Sequence, residues 1–105
     1  TAKQVATSLG CLDISEQTPA GTKPVASTMV RCNLAGRGYL VLAYPSAGAT
    51  SAALASLQSQ AIDSGEDMTV AKATTWIVKA SEGPTIGSPM ISAAKKQGGQ
   101  RITLG

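Results

Sequence analysis

Short runs with an apolar rhythm alternate along this chain with stretches of glycine, proline and serine, and the rhythm changes period from run to run. Residues 1–10 have the 3.6-residue period of a short helix: Thr1 and Gln4 stand at capping-box spacing, Val5 and Leu9 share one face, and Gly10 suits a left-handed cap. Asp13–Pro24 turns to Ser, Glu, Gln, Thr, Pro and Gly without apolar period and predicts a surface loop, tied down at Cys11 and Cys32. Val25–Leu34 alternates as a strand does, with Val30, Cys32 and Leu34 on one face and Met29, Arg31 and Asn33 on the other. After a turn at Ala35–Gly38, the run Tyr39–Tyr44 (YLVLAY) is apolar at nearly every position, which suits a central strand buried on both sides.

Pro45 ends that strand, and a helix is predicted from Ser46 or Thr50 to Ser64, with Leu54, Leu57, Ala61 and Ile62 as its apolar stripe and Gly65 as its stop. Met68–Ala80 reads as a second hairpin turning near Ala73-Thr74, with one long bent strand as the competing assignment. Ser81–Gly87 (SEGPTIG) is a loop. Ser88-Pro89 opens a helix that closes on Lys95, Lys96 and Gly98-Gly99, the lysines standing at the negative end of its dipole. Gln100–Leu104 makes a last short strand. The predicted order is α-ββ-α-ββ-α-β, an α+β fold with an antiparallel sheet, helices packed on one face and the other face left to solvent or a partner.

At 105 residues the chain fits one domain with one core. Phe is absent and the aromatic residues are Tyr39, Tyr44 and Trp76, so the core is aliphatic and rich in alanine, and its stability modest without covalent help. Cys11 and Cys32 offer that help: closing the loop between them would contribute about 3 kcal/mol in the chain-entropy model. Two reduced, buried thiols in a cytosolic protein are the alternative. A zinc site is disfavoured, because two cysteines without any histidine leave a tetrahedral site incomplete. A bridge implies an oxidising compartment, and low charge (14%) with abundant Ala, Ser, Thr and Gly suits exported proteins of GC-rich bacteria. No run approaches the roughly 20 apolar residues of a transmembrane helix. The chain opens on Thr1 without a signal segment, so a removed leader or an upstream lipid-anchor tether is expected to precede it.

The net charge of +3 comes from nine scattered cations of which only Lys95 and Lys96 are adjacent, so no nucleic-acid-binding face is expected; weak attraction to anionic wall polymers or lipid head groups is. With no histidine, Ser-His and Cys-His nucleophile schemes fall away. The acids Glu66 and Asp67, and Asp13 and Glu16, fall in predicted turns and loops, where both members of a pair are solvated and neither is tuned for acid-base work. No phosphate-cradling or dinucleotide fingerprint occurs among the glycines. The expectation is therefore no catalytic residue, no cofactor and no metal. Trp76, alone of its kind, reads as a core anchor. On an uncovered face beside Tyr39 or Tyr44 it would instead mark a binding surface.

The run SLGC closing the first helix, the second cysteine opening CNLAGRGYLVLAY, the Ala- and Ser-rich helix, WIVKA and a last helix ending in GG together resemble the small extracytoplasmic lipoprotein-type domains of actinobacteria. The resemblance implies a Cys11–Cys32 pairing, a structural Trp76 and no catalytic residue. The chain departs from that pattern in being basic and in lacking a lipidated cysteine at its start. The function expected is that of a non-enzymatic secreted or envelope-associated module binding a protein or cell-wall partner through a sheet face or the Asp13–Pro24 loop. A small secreted inhibitor or immunity-type protein presenting the Ser81–Gly87 loop to an enzyme is the alternative, and an enzyme using only carboxylate and hydroxyl chemistry ranks third.

Overall fold

The computed structural model describes residues 1–19 and 26–105. Its elements are α1 (Ala2–Ser8), β1 (Leu12–Gln17), β2 (Thr28–Leu34), β3 (Arg37–Ala43), α2 (Ala47–Ser64), β4 (Met68–Lys72), β5 (Trp76–Ala80), α3 (Ser88–Lys96) and β6 (Gln100–Leu104). The strands form one six-stranded sheet in the order β1-β2-β3-β5-β4-β6, antiparallel throughout. The α+β class and the succession of helices and hairpins agree with the sequence pattern, with one strand added.

That strand is β1, which occupies the first half of the stretch expected to be a loop. Its pattern hid it: Ile14 is its one residue packed on the core, while Leu12 is 67% exposed. What holds it is the backbone ladder to β2, interrupted by an irregularity between Leu12 and Ser15 where Asp13 takes a positive φ of 54°. Residues 20–24 of the expected loop, and Val25, the expected start of β2, lie outside the described residues. The β4–β5 segment is a hairpin and not one bent strand, closed by Ala73 N–H donating to Trp76 O at 2.9 Å.

The helices do not share one face. Ala2 and Ala6 of α1 and Met90 and Ala94 of α3 pack on Val30, Cys32, Tyr39, Val41, Trp76 and Val78, whereas Ala53, Leu57 and Ala61 of α2 pack on Val70, Ile77 and Leu104 from the opposite side. Chain connectivity explains the correction. The β3-α2-β4 and β5-α3-β6 connections each pass over one strand in the same direction across the sheet, but β3 and β5 run oppositely. Crossovers of one hand, right-handed in nearly all proteins, must then put α2 and α3 on opposite faces. The buried stripe of α2 is also rotated from the expected one: Thr50, Ala53, Leu57 and Ala61 face the sheet and Ile62 is 61% exposed.

Local signals set the helix ends. The Thr1–Gln4 capping box forms as expected. At the other end of α1, Gly10 takes φ +80°, Gly10 N–H donates to Thr7 O, and Cys11 N–H donates to Ala6 O at 3.0 Å, which is the Schellman pattern. Ser46 caps α2 by accepting from Ala49 N–H, and Gly65 at φ +73° ends it. The cap of α3 is Gly87, one residue before the serine expected there, so that Ser88-Pro89 form its first turn. The β2–β3 turn is tighter than the four residues expected: Leu34 pairs with Arg37, and Ala35 (φ 52°) and Gly36 (φ 78°) make a two-residue turn with the positive φ angles of type I′.

Cys11 and Cys32 are joined, with Cα atoms 5.7 Å apart. The bond fastens the end of α1 to the middle of β2, and both cysteines are buried. Replacing Cys32 by Ser is expected to remove about 3 kcal/mol of stability and to lower the thermal midpoint by on the order of 10 °C. Circular-dichroism melts with and without reductant measure this, and an unchanged midpoint would show that the bridge contributes nothing to stability.

Candidate functional site

Coverage of the two sheet faces is unequal. α1 lies over β1, β2 and β3, and α3 over β4 and β6, so one face is roofed along its whole width. On the other face α2 packs chiefly on β5 and β6, and of the β1–β3 residues Leu42 alone is among those packed against its core. Register gives the composition of that open half. One row runs Gln17–Met29–Leu42–Ile77 across four strands, and the next runs Ser15–Arg31–Leu40–Lys79. Met29, Leu40 and Leu42 are half-buried, Arg31 is exposed, and Lys79 is half-buried. The result is a shallow apolar strip between a guanidinium and an ammonium group.

The third row ends this face with polar groups. Asn33 pairs with Gly38, and Ser81 N–H donates to Gly38 O at 3.1 Å. A Cβ placed on Gly38 would come within 2.5 Å of Ser81 Oγ, 3.5 Å of Arg31 Nη2 and 3.6 Å of Asn33 Oδ1, so polar side-chain ends from both flanking strands converge over a position that only glycine leaves open. The depression has a volume of about 460 Å³ and reaches to Arg37 and Glu82. The Asn33 amide nitrogen donates to Asp13 at 3.3 Å, and one Arg37 nitrogen donates to Thr85 O at 2.7 Å. The sequence carried the Arg31 and Asn33 side of this arrangement as the outward phase of a strand. It gave no sign of Ser81, because the juxtaposition of β3 with β5 is made by topology.

The Ser81–Gly87 loop is firmly held. Thr69 N–H donates to Pro84 O at 2.9 Å, Ile86 N–H donates to Thr69 O at 3.3 Å, and Arg37 holds Thr85 from the side. Ile86 is buried while Glu82, Gly83, Pro84 and Thr85 are exposed.

The three aromatic residues do not form a surface. Tyr39 is fully buried and Trp76 is 8% exposed, both under the roofed face, while Tyr44 lies in the core beneath α2. The binding-surface expectation for Trp76, Tyr39 and Tyr44 is thereby corrected. Tyr39 and Trp76 share a phase with Val41 and Val78, which α1 and α3 cover. The Tyr39 hydroxyl accepts from Gly87 N–H at 3.2 Å, and the Arg37 guanidinium stands 5.9 Å from its ring centre. Asp13, Glu16, Glu66 and Asp67 are all exposed, and among the described residues no group of three His, Cys, Asp or Glu side chains gathers to hold a metal.

No protein-family model matches the chain, and no curated protein or solved structure matches it either.

The buried aromatics can be probed by substitution. A Cβ at Gly99 would stand 2.7 Å from Trp76 Cη2 and 3.0 Å from Ala94 O, so Gly99→Ala is expected to destabilise by about 1–3 kcal/mol; urea unfolding monitored by Trp fluorescence reads it, and a neutral result would mean that the indole has room to shift. Burial pushes the Tyr44 phenol above its ordinary value of 10.0. Stability from this group is therefore intact below that value and is lost as pH rises through the folded-state pKa. Tyr44→Phe should flatten the alkaline decline in melting temperature, and an unaltered slope would locate that decline elsewhere.

Proposed function

We propose that this chain is a non-enzymatic, extracytoplasmic interaction module, of the kind found in small lipoprotein-type envelope domains, that binds a cell-wall or protein partner through the open half of its sheet. The observation that carries this reading is the half-buried strip of Met29 and Leu40 flanked by Arg31 and Lys79, which Leu42 continues to the margin of the α2 core. An apolar strip between cations offers contact area to a partner and favours an acidic one. The disulfide supports an oxidising compartment. No helix of the described residues is long and apolar enough to cross a membrane. The absence of histidine supports a binding role over a catalytic one.

A second reading, a secreted inhibitor, draws on the Ser81–Gly87 loop. Its backbone is pinned by β4 and Arg37 before any partner arrives, and preorganisation of that kind lowers the entropy lost on binding.

Cosedimentation with purified bacterial cell walls separates the two. The wild-type chain is expected to sediment with the walls, and Leu40→Thr combined with Lys79→Glu to lose most of that binding while keeping its fold. Binding that survives both changes would remove the open strip as the contact surface, and a wild-type chain that stays in the supernatant would overturn the wall-binding reading.

A further inference from the structure

We infer that the depression over Gly38 is a binding site for an oxyanion carried on a hydroxylated polymer, that is, a carboxylate- or phosphate-bearing glycan or polyol unit. The inference rests on the wall-binding reading above and names the chemistry the partner would present. Arg31 and Asn33 approach one point from β2 and Ser81 approaches it from the end of β5, and the missing Gly38 side chain provides the space they share. The Arg31 guanidinium is exposed and, among the described residues, has no hydrogen-bond acceptor, so its donors are available to a planar carboxylate or a phosphate. Ser81 adds a hydroxyl donor on the same side.

The acceptors fix the rest of the ligand. Because the Asn33 nitrogen is turned toward Asp13, its oxygen faces the depression, and Glu82 stands at the rim. Both can accept from hydroxyl groups flanking an anion. A bare inorganic ion would leave those acceptors unused, and a neutral sugar would leave the Arg31 guanidinium without a charge partner. Stacking, the other common way of holding a neutral sugar, is excluded because Tyr39, Tyr44 and Trp76 are all buried. The depression is open and continues into the Arg31–Leu40–Lys79 row, so a chain of such units can lie along the sheet with one anion seated at Gly38 and the next near Lys79.

The test measures binding of the purified disulfide-bonded protein to poly(glycerol phosphate), to polygalacturonate and to dextran, with Arg31→Gln, Ser81→Ala and a Lys95→Gln/Lys96→Gln control on the last turn of α3. The inference expects binding to at least one of the anionic polymers, none to dextran, a loss of roughly tenfold or more for Arg31→Gln, and a smaller loss for Ser81→Ala. Melting temperatures of these surface variants should match the parent. The preferred polymer tells phosphate from carboxylate. Equal loss in the lysine control would show diffuse charge attraction and overturn the site, as would no anionic binding at all. If Arg31→Gln still sediments fully with cell walls, the oxyanion site falls while the open face stands as the binding surface; if the parent protein does not sediment, the wall-binding reading itself falls.

Discussion

Strands β3 and β5 are apolar on both sides, and that fact constrains everything around them. Tyr39, Val41, Trp76 and Val78 need cover on one face, and Leu42 and Ile77 need it on the other. A sheet of this kind cannot leave one face wet, so three helices must be divided between two faces. The two helices inside crossovers have no choice of side, because the hand of the connection places them. α2 takes one face alone and reaches only half of it, and the unroofed remainder is where the outer strands can carry arginine and asparagine.

α1 is in a different position. It belongs to no crossover and is held to the sheet only by its own contacts and by the cysteine beside its C-terminal cap. Its apolar contribution is small, two buried alanines with Leu9, which is little area for a helix of seven residues. Other attachments compensate. Ala2 N–H donates to Thr28 Oγ1 at 2.8 Å at one end, and at the other the Gly10 cap turns the chain so that Cys11 meets Cys32. The disulfide thus fastens the one helix that topology leaves free, and α1 in turn roofs the strand that carries the second cysteine.

Much of this was legible in the residues. Caps at Thr1, Gly10 and Gly65, a hairpin turn within Ala35–Gly38 and the double-sided character of Tyr39–Tyr44 all depend on local chemistry, and local chemistry is what a sequence displays; the cysteine pairing was legible for another reason, that two cysteines allow one bridge. The expectation that every helix lies on one face contradicted that double-sided strand, and the strand was the better guide. β1 escaped notice because an edge strand needs only backbone partners, and a single buried residue, Ile14, carries no period. The candidate site escaped for a related reason: Arg31 and Ser81 are far apart in sequence, and the order β3-β5 that brings them over Gly38 arises from the crossover through α2. The aromatics carry no sign of their side in their spacing alone, and only the assignment of faces buries all three.

The irregularity at Asp13 bears on how this molecule coexists with copies of itself. An outermost strand displays unpaired amides and carbonyls, and a long straight one invites another chain to continue the sheet. Here the positive φ at Asp13 breaks the straight run, leaving Ser15, Glu16 and Gln17 as the regular stretch, and the side chains there are polar or charged. A newcomer would find three residues to pair with and a carboxylate among them. The strand with the least packing of its own is thereby also a poor template for fibrils, and its weak attachment to the core does not become a route to aggregation.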